Sequence, residues 1–156
     1  SPRKAWIRNA MSPQPAPLNL VKLCVGSDGV DDLAAWQASQ RARWPDGNPV
    51  HVTRMWPRRE AELLPDGALY WVFRGVILAR QRILRLEERR GEDGILRCGI
   101  VLSPEILRTE PAPRRAFQGW RYLAGADAPR DLPGARSSDD ALPPQIAAAL
   151  AEMGLR

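Results

Sequence analysis

Apolar residues fall in short runs along this chain, and several of the runs alternate with the period of two that strands show. Both alternating faces of Leu18–Val25 are largely apolar, which predicts a central strand. Val50–Arg54 predicts a short strand with Val50 and Val52 pointing inward, and Leu69–Arg74 predicts a further strand. The pattern therefore indicates a sheet assembled from short strands.

The segment Val76–Arg90 fits two patterns. Its apolar residues recur at helical spacing, but as a strand it would place Arg80 and Arg82 on one face. We favour a strand over its second half, because a turn signal at Glu92–Gly94 and the apolar run Ile95–Leu102 follow it. Together these features predict a hairpin.

Helices are predicted at three places around these strands. The first begins after a capping residue, Ser27 or Asp28, and runs to about Arg43. A short second helix covers Pro57–Leu64, and Pro144 begins a terminal helix. One face of the first helix is predicted to contain Leu33, Trp36 and Gln40.

Proline and glycine positions set the predicted boundaries. Prolines crowd residues 1–17, which predicts a disordered tail, and residues 18–156 are predicted to form a single domain. An extended connection is predicted through Pro111 and Pro113, and a surface loop over Ala124–Pro143. The expected fold class is α+β, with a mixed or antiparallel, partly closed sheet flanked by two main helices and one short helix.

The positive charge of the chain comes mostly from arginine. The formal net charge is +5, and Lys4 and Lys22 are the only lysines among 23 basic residues. The guanidinium group presents a planar set of donors that binds phosphate and stacks on nucleobases. This composition favours an acidic partner, but a GC-rich genome would also enrich a protein in arginine, so composition leaves both explanations open.

Several kinds of site are not indicated. Cys24 and Cys98 lie in apolar runs without the spacing of a zinc site or a disulfide scaffold, which fits buried thiols in a reducing cytoplasm. The acidic pairs Asp31-Asp32 and Asp139-Asp140 do not converge as metal ligands do, and no glycine-rich phosphate loop occurs. No apolar run approaches about 18 residues. We therefore expect no metal, no cofactor, no membrane span and a cytoplasmic location.

Arginines and aromatic residues are the candidate binding groups. The arginines between positions 74 and 90 would contact phosphates, or would form a solvated face paired with the acidic residues at positions 87, 88, 92 and 93. The aromatic residues would stack on bases beside further arginines, or would fill the core. These aromatic residues and arginines are Trp56, Trp71, Phe117, Trp120 and Tyr122, with Arg54, Arg115 and Arg121.

Four segments carry a resemblance to a known family: LNLVKLCVG, HVTRMWPRR, YWVFRGVILARQRIL and FQGWRYL. Together they resemble the alphaproteobacterial domain of unknown function family 1489 over about residues 18–156. The resemblance implies a single-domain cytoplasmic bacterial protein and brings no established activity. The order of predicted elements is also similar, more loosely, to that of PUA-like domains (PUA, ASCH and EVE), which implies RNA or modified bases as ligands.

We expect a nucleic-acid-binding module and not an enzyme, since no residue pattern specifies a reaction. RNA or a modified base is favoured over duplex DNA, because no predicted helix has a basic recognition face. The expected contacts are Arg54, Arg80, Arg82 and Arg115 with phosphates, Trp56 and Trp120 with bases by stacking, and Gln81 and Gln118 with polar base edges.

Two alternatives stay open, as does the oligomeric state. The likeness to ASCH domains implies a small hydrolase of a modified nucleoside, with Thr53, Lys22 and Glu60 as its reactive group. His51, the only histidine, would need a partner such as Thr53 or Glu60 to act there, and otherwise has a structural or surface role. Exposed tryptophan and arginine would instead suit a protein–protein interface.

Overall fold

Eight strands form one mixed sheet within residues 17–136, the part of the chain that this computed structural model describes. The sheet order is β2-β5-β4-β3-β1-β7, while β6 pairs with β4 and β8 pairs with β6. β1 and β3 are parallel and the other pairs antiparallel, and the path ends without closing into a barrel. The predicted α+β class is confirmed. The strands are β1 (Asn19–Leu23), β2 (Val50–Thr53), β3 (Ala68–Phe73), β4 (Val76–Arg90), β5 (Leu96–Leu102), β6 (Leu107–Pro113), β7 (Trp120–Leu123) and β8 (Asp131–Arg136).

Strand β4 joins the two parts of the sheet. Its first half pairs with β3 and β6, and its second half pairs with β5, which in turn pairs with β2. The strand therefore covers all of Val76–Arg90, whereas the sequence favoured a strand over the second half only. Hydrogen-bonded neighbours along the whole length decide against the helical spacing of the first half, and the predicted hairpin with β5 is confirmed.

Two helices accompany the sheet within the described residues, α1 (Val30–Gln40) and the single turn α2 (Glu60–Leu63). Short 3₁₀ turns cover Arg41–Arg43 and Gly125–Asp127. Residues 1–16 of the predicted tail and the predicted helix at Pro144 lie outside the described residues.

The face of α1 that packs on the sheet consists of Val30, Leu33 and Gln37. Trp36 lies three residues after Leu33 and is 53% exposed, so it is at the border of this face, and Gln37 takes the buried position. The helix also begins later than expected, after Gly29, and no side chain caps it at that residue.

Strand β2 faces the opposite way from the prediction. Val52 is 46% exposed, whereas His51 and Thr53 pair with Ile100 and Cys98 of β5, which belong to the main hydrophobic core. Residues directly opposite in a ladder share a face, so His51 and Thr53 point inward. Hydrophobicity alone favoured the valines, but the register with β5 decides the orientation.

Strand β6 includes the connection that was predicted to be extended, and strand β8 lies in the stretch that was predicted to be a surface loop. Strand β6 contains Pro111 and Pro113, and β8 contains Pro133. Proline cannot donate to a ladder, but it is tolerated at sheet edges and irregularities. β8 is such an edge, and the ladders of β6 with both neighbours contain register shifts.

The side chain of Gln81 connects four parts of the fold inside the core. It is fully buried on β4, where its Oε1 accepts hydrogen bonds from Gln37 Nε2 and Trp71 Nε1, both at 2.9 Å. Its Nε2 donates to Gln37 Oε1 at 2.8 Å and to the Ser103 carbonyl at 3.0 Å. Every donor and acceptor of this amide is therefore used, and the network fixes α1 against β3, β4 and the connection from β5 to β6.

We expect Gln81→Met to lower the free energy of unfolding by roughly 2–4 kcal/mol, because it leaves the Gln37 amide and the Trp71 indole N–H buried without partners. Urea unfolding followed by tryptophan fluorescence measures the change. Gln118→Met is the matched control, since Gln118 is exposed and its replacement should alter stability by less than about 0.5 kcal/mol. Equal midpoints for the two variants would contradict this role of Gln81.

Candidate functional site

Most of the arginine side chains on the β4–β5 hairpin are paired with carboxylates. Exposed pairs of this kind contribute little stability, about 0–1 kcal/mol each, but they neutralise the charge that a phosphate would meet. The alternative that these arginines form a solvated, ion-paired face thus fits the structure. The pairs are Arg85 with Asp46 and Glu87 (3.5 and 3.3 Å), Arg89 with Glu87 (2.8 Å) and Arg97 with Asp93 (2.8 Å).

Arg80 and Arg82, two of the expected phosphate contacts, are engaged in the same way. Arg80 forms a bidentate pair with Asp131 of β8, with N–O distances of 2.8 and 2.7 Å. Arg82 donates to the Pro65 carbonyl at 3.1 Å and lies 3.9 Å from Asp66. In this arrangement neither side chain offers an unneutralised charge to a ligand.

Two other expected contacts lie inside the protein. Gln81 is the core amide described above, and Trp120 is 4% exposed, with its indole N–H bonded to the Met55 carbonyl at 2.9 Å. Neither can stack on or hydrogen-bond to a base without leaving the core, which corrects the expectation for both. Trp56 is partly buried against the core and donates to Glu60 Oε1 at 3.3 Å. These aromatic groups supply apolar volume and satisfy their N–H groups internally.

The loop from Arg54 to Arg59 is fastened to β7. In addition to the Trp120 bond, the Tyr122 hydroxyl accepts from the Arg59 backbone N–H at 3.0 Å, and the Arg59 guanidinium lies 5.4 Å from the Tyr122 ring centre. Arg54 and Arg58 are exposed on this loop, and no carboxylate of residues 17–136 pairs with either of them. Two unneutralised guanidinium groups therefore lie next to β7.

A second group of arginines surrounds Phe117 on the other face of β7. Arg121 points away from Trp120, because successive strand residues alternate between faces. The guanidinium groups of Arg121 and Arg114 lie 5.4 and 5.9 Å from the centre of the Phe117 ring. Arg121 is held by the backbone carbonyls of Gln118 and Trp120, at 2.7 and 3.1 Å.

These side chains line a hollow of about 520 Å³, and no acidic residue of the described chain is part of its lining. Two guanidinium groups around one ring repel each other, the ring quadrupole compensates part of that repulsion, and a bound anion would remove the rest. The exposed side chain of Arg115 adds a third cation. We call this surface the β7 patch, and it consists of Arg114, Arg115, Phe117 and Arg121.

The sequence contained a signal for this patch that was not used. Residues 111–126 include three arginines and no Asp or Glu, whereas the arginines of β4 are interspersed with carboxylates. Of the expected contacts, Arg115 belongs to the patch and the exposed Gln118 borders it, whereas Arg54 is exposed on the loop at the other face of β7. Arg114 was missed.

A separate cavity of about 280 Å³ lies where the end of β1, the loop after it, α1, β2 and β3 meet. Lys22 lies on its wall, opposite Trp71 of β3 and Trp120 of β7 in the two ladders of β1. His51 faces it from β2 and contacts Trp71 edge-on, with ring centres 5.7 Å apart. The remaining lining is Leu23, Cys24, Val25, Gly26, Ser27, Leu33 and Trp36.

Burial controls the ionisation of the groups in this cavity. Burial, and secondarily the charge of Lys22, lowers the pKa of His51 to about 4, so the imidazole is neutral at pH 7. Its Nε2 is buried without a hydrogen-bond partner among the described residues. Burial also raises the pKa of Cys24 to about 11, so the thiol stays protonated.

The three residues of the hydrolase alternative are not hydrogen-bonded to one another. The Thr53 hydroxyl accepts from the Met55 N–H at 3.4 Å, and Glu60 accepts from Trp56. Lys22 faces the cavity with His51 instead. The described residues contain no group of three or more His, Cys, Asp or Glu side chains placed to hold a metal ion. Within the same residues, no helix has the length and hydropathy to cross a membrane.

We expect the single histidine to titrate with a pKa of about 4 in the folded protein, against about 6.5 unfolded. Between pH 4 and 6.5 the histidine is protonated in the unfolded chain but not in the folded protein. The contribution of this residue to the free energy of unfolding is therefore fully present above pH 6.5, and it falls by about 3 kcal/mol as the pH decreases towards 4. NMR of the imidazole C–H resonances checks the pKa in a tag-free protein. His51→Gln should remove this part of the pH dependence, and a folded-state pKa near 6.5 would contradict the buried position.

Comparison with known proteins identifies a family for this chain but no activity, ligand or partner. No curated protein and no solved structure matches the chain significantly. The family model described as "Protein of unknown function (DUF1489)" matches residues 20–156. The match covers most of the chain and confirms the resemblance drawn from the four sequence segments. This chain therefore belongs to the DUF1489 family.

Proposed function

We propose that this domain binds single-stranded nucleic acid, RNA in particular, through the β7 patch. The observation that carries the proposal is the convergence of Arg114 and Arg121 on the Phe117 ring, in a hollow that no carboxylate of residues 17–136 lines. Phosphate contacts from arginine supply the salt-dependent part of nucleic-acid affinity. The cytoplasm, where RNA is available and free thiols such as Cys24 and Cys98 stay reduced, is the location that we propose.

The patch combines the two kinds of contact that single strands need. Its guanidinium groups would bind consecutive phosphates, and their planar faces, together with the partly exposed Phe117 ring, offer surfaces on which unpaired bases stack. Gln118 borders the patch and remains a candidate for polar contacts with a base edge. Duplex DNA is disfavoured because α1, the one helix longer than a single turn in residues 17–136, has acidic residues in its first turn.

The arginines of this surface differ from those of β4 and β5 in whether an acidic residue of the described chain lies beside them. On β4 and β5 each guanidinium that meets Glu87, Asp93 or Asp131 has already exchanged water for a carboxylate, and a phosphate would have to displace that partner. In the β7 patch no such exchange is needed. We therefore propose that the phosphate contacts lie at β7 and not at Arg80 and Arg82.

We expect the double variant Arg115→Ala/Arg121→Ala to bind a labelled single-stranded 20-nucleotide RNA at least tenfold more weakly than the parent chain. The slope of log K against log salt concentration should become shallower by about 1.4, the value for two lost phosphate contacts on a single strand. Fluorescence anisotropy between about 50 and 200 mM salt measures both quantities.

The matched control is Arg85→Ala/Arg89→Ala, which removes the same charge from arginines paired with Glu87. It should change RNA affinity by less than about twofold, because these guanidinium groups are already neutralised. Equal losses from both double variants would show that only net charge matters and would refute the β7 patch. Binding of heparin as tightly as RNA, with no discrimination between single strands and duplex, would refute the proposal of nucleic-acid recognition.

A further inference from the structure

Lys22 lies on the inner face of the sheet, where a cation is costly. It shares this face with Leu20, two residues before it, and Cys24, two residues after it, and both of these pack with the main core. Trp71 and Trp120 lie directly opposite it on the two neighbouring strands. Within residues 17–136 the amine has no carboxylate or other hydrogen-bond partner. Lys22 is only partly exposed, so its charge has lost part of its contact with water, and no anion of the described residues compensates that loss.

The groups that face Lys22 are uncharged and therefore cannot neutralise it. His51 is uncharged, with one ring nitrogen buried and unpaired, and the Cys24 thiol is protonated. The acidic residues of the adjacent loop and helix are engaged elsewhere. Asp28 pairs with Arg74 at 3.0 Å, and Asp32 accepts from the Asp28 N–H at 3.1 Å. The lining therefore contains one cation and no anion.

The walls of the cavity favour a flat, apolar body. The buried Trp71 and the 53% exposed Trp36 both line it, together with Leu33. A volume of about 280 Å³ is at the small end of ligand sites and admits one ring system. Indole rings interact well with planar conjugated groups, so shape and charge together specify the ligand.

From these features we infer that the cavity binds a small planar monoanion, an aromatic or heteroaromatic carboxylate, whose carboxylate pairs with Lys22 while its ring packs against Trp36 and Trp71. Ser27 and the His51 imidazole supply neutral hydrogen-bonding groups. This site is distinct from the β7 patch and does not depend on the proposed function, so either proposal can fail while the other stands.

Benzoate and nicotinate are the probes for this site, with the full chain as the protein. Isothermal titration should show binding with a dissociation constant of about 1 mM or tighter, and the resonances of the single histidine should shift on saturation. Benzamide, which is planar but neutral, and cyclohexanecarboxylate, which is anionic but not planar, should each bind at least fivefold more weakly.

Lys22→Met keeps the apolar stem and removes the charge, so benzoate should bind at least tenfold more weakly. Arg130→Met, which removes an exposed cation away from the cavity, should leave binding within twofold of the parent chain. Should Lys22→Met fail to fold, Lys22→Gln serves in its place with the same expected loss. The inference would be overturned if benzamide bound as tightly as benzoate, or if the Lys22 variant bound benzoate with unchanged affinity. It would also be overturned if neither carboxylate bound at a concentration 10-fold above the expected dissociation constant.

Discussion

The buried amide of Gln81 is the interaction on which the rest of this structure depends. A single side chain makes hydrogen bonds to α1, to β3 and to the connection between β5 and β6, while its own backbone lies in β4. In a low-dielectric core each of these bonds is strong, and each unmade bond would be costly. The same network orients the Trp71 indole, which walls the cavity beside Lys22 and His51. The helix α1, the long strand β4 and one candidate ligand site are therefore held in a common arrangement.

The placement of carboxylates divides the arginines into two electrostatic classes. Arg80 and Arg89 have bound carboxylates within the fold, and they contribute surface order more than available charge. Arg114 and Arg121 lie around an aromatic ring, in a hollow whose described lining contains no acid. Composition cannot distinguish these classes, because both contain the same residue type. The available charge is a property of the neighbours that folding brings to each guanidinium.

Strands β1 and β7 connect the two candidate sites through the alternation of their side chains. Lys22 and Trp120 lie opposite each other on the face of the sheet that contains the main core and the cavity. Val21 and Arg121 lie opposite each other on the other face, towards Phe117. The period of two along a strand thus assigns neighbouring residues to different surfaces. A slip of one residue in this ladder would exchange the two sets, so the register of β1 with β7 determines both sites at once.

The sequence by itself determined the α+β class, most of the strands and the hairpin between β4 and β5, because alternation and turn residues are local properties of the chain. It also marked Arg54 and Arg115 as candidates, and its acid-free run at residues 111–126 pointed to the patch. Only the tertiary structure decided that His51 faces inward, that Gln81 is a core residue and not a contact for bases, and that Arg80 is paired with Asp131. Each of these outcomes depends on partners that are distant along the chain. The ladder partner of His51 is 49 residues away and the carboxylate that binds Arg80 is 51 residues away, while the side-chain partners of Gln81 are 10 and 44 residues away. No local sequence pattern records which partner folding supplies.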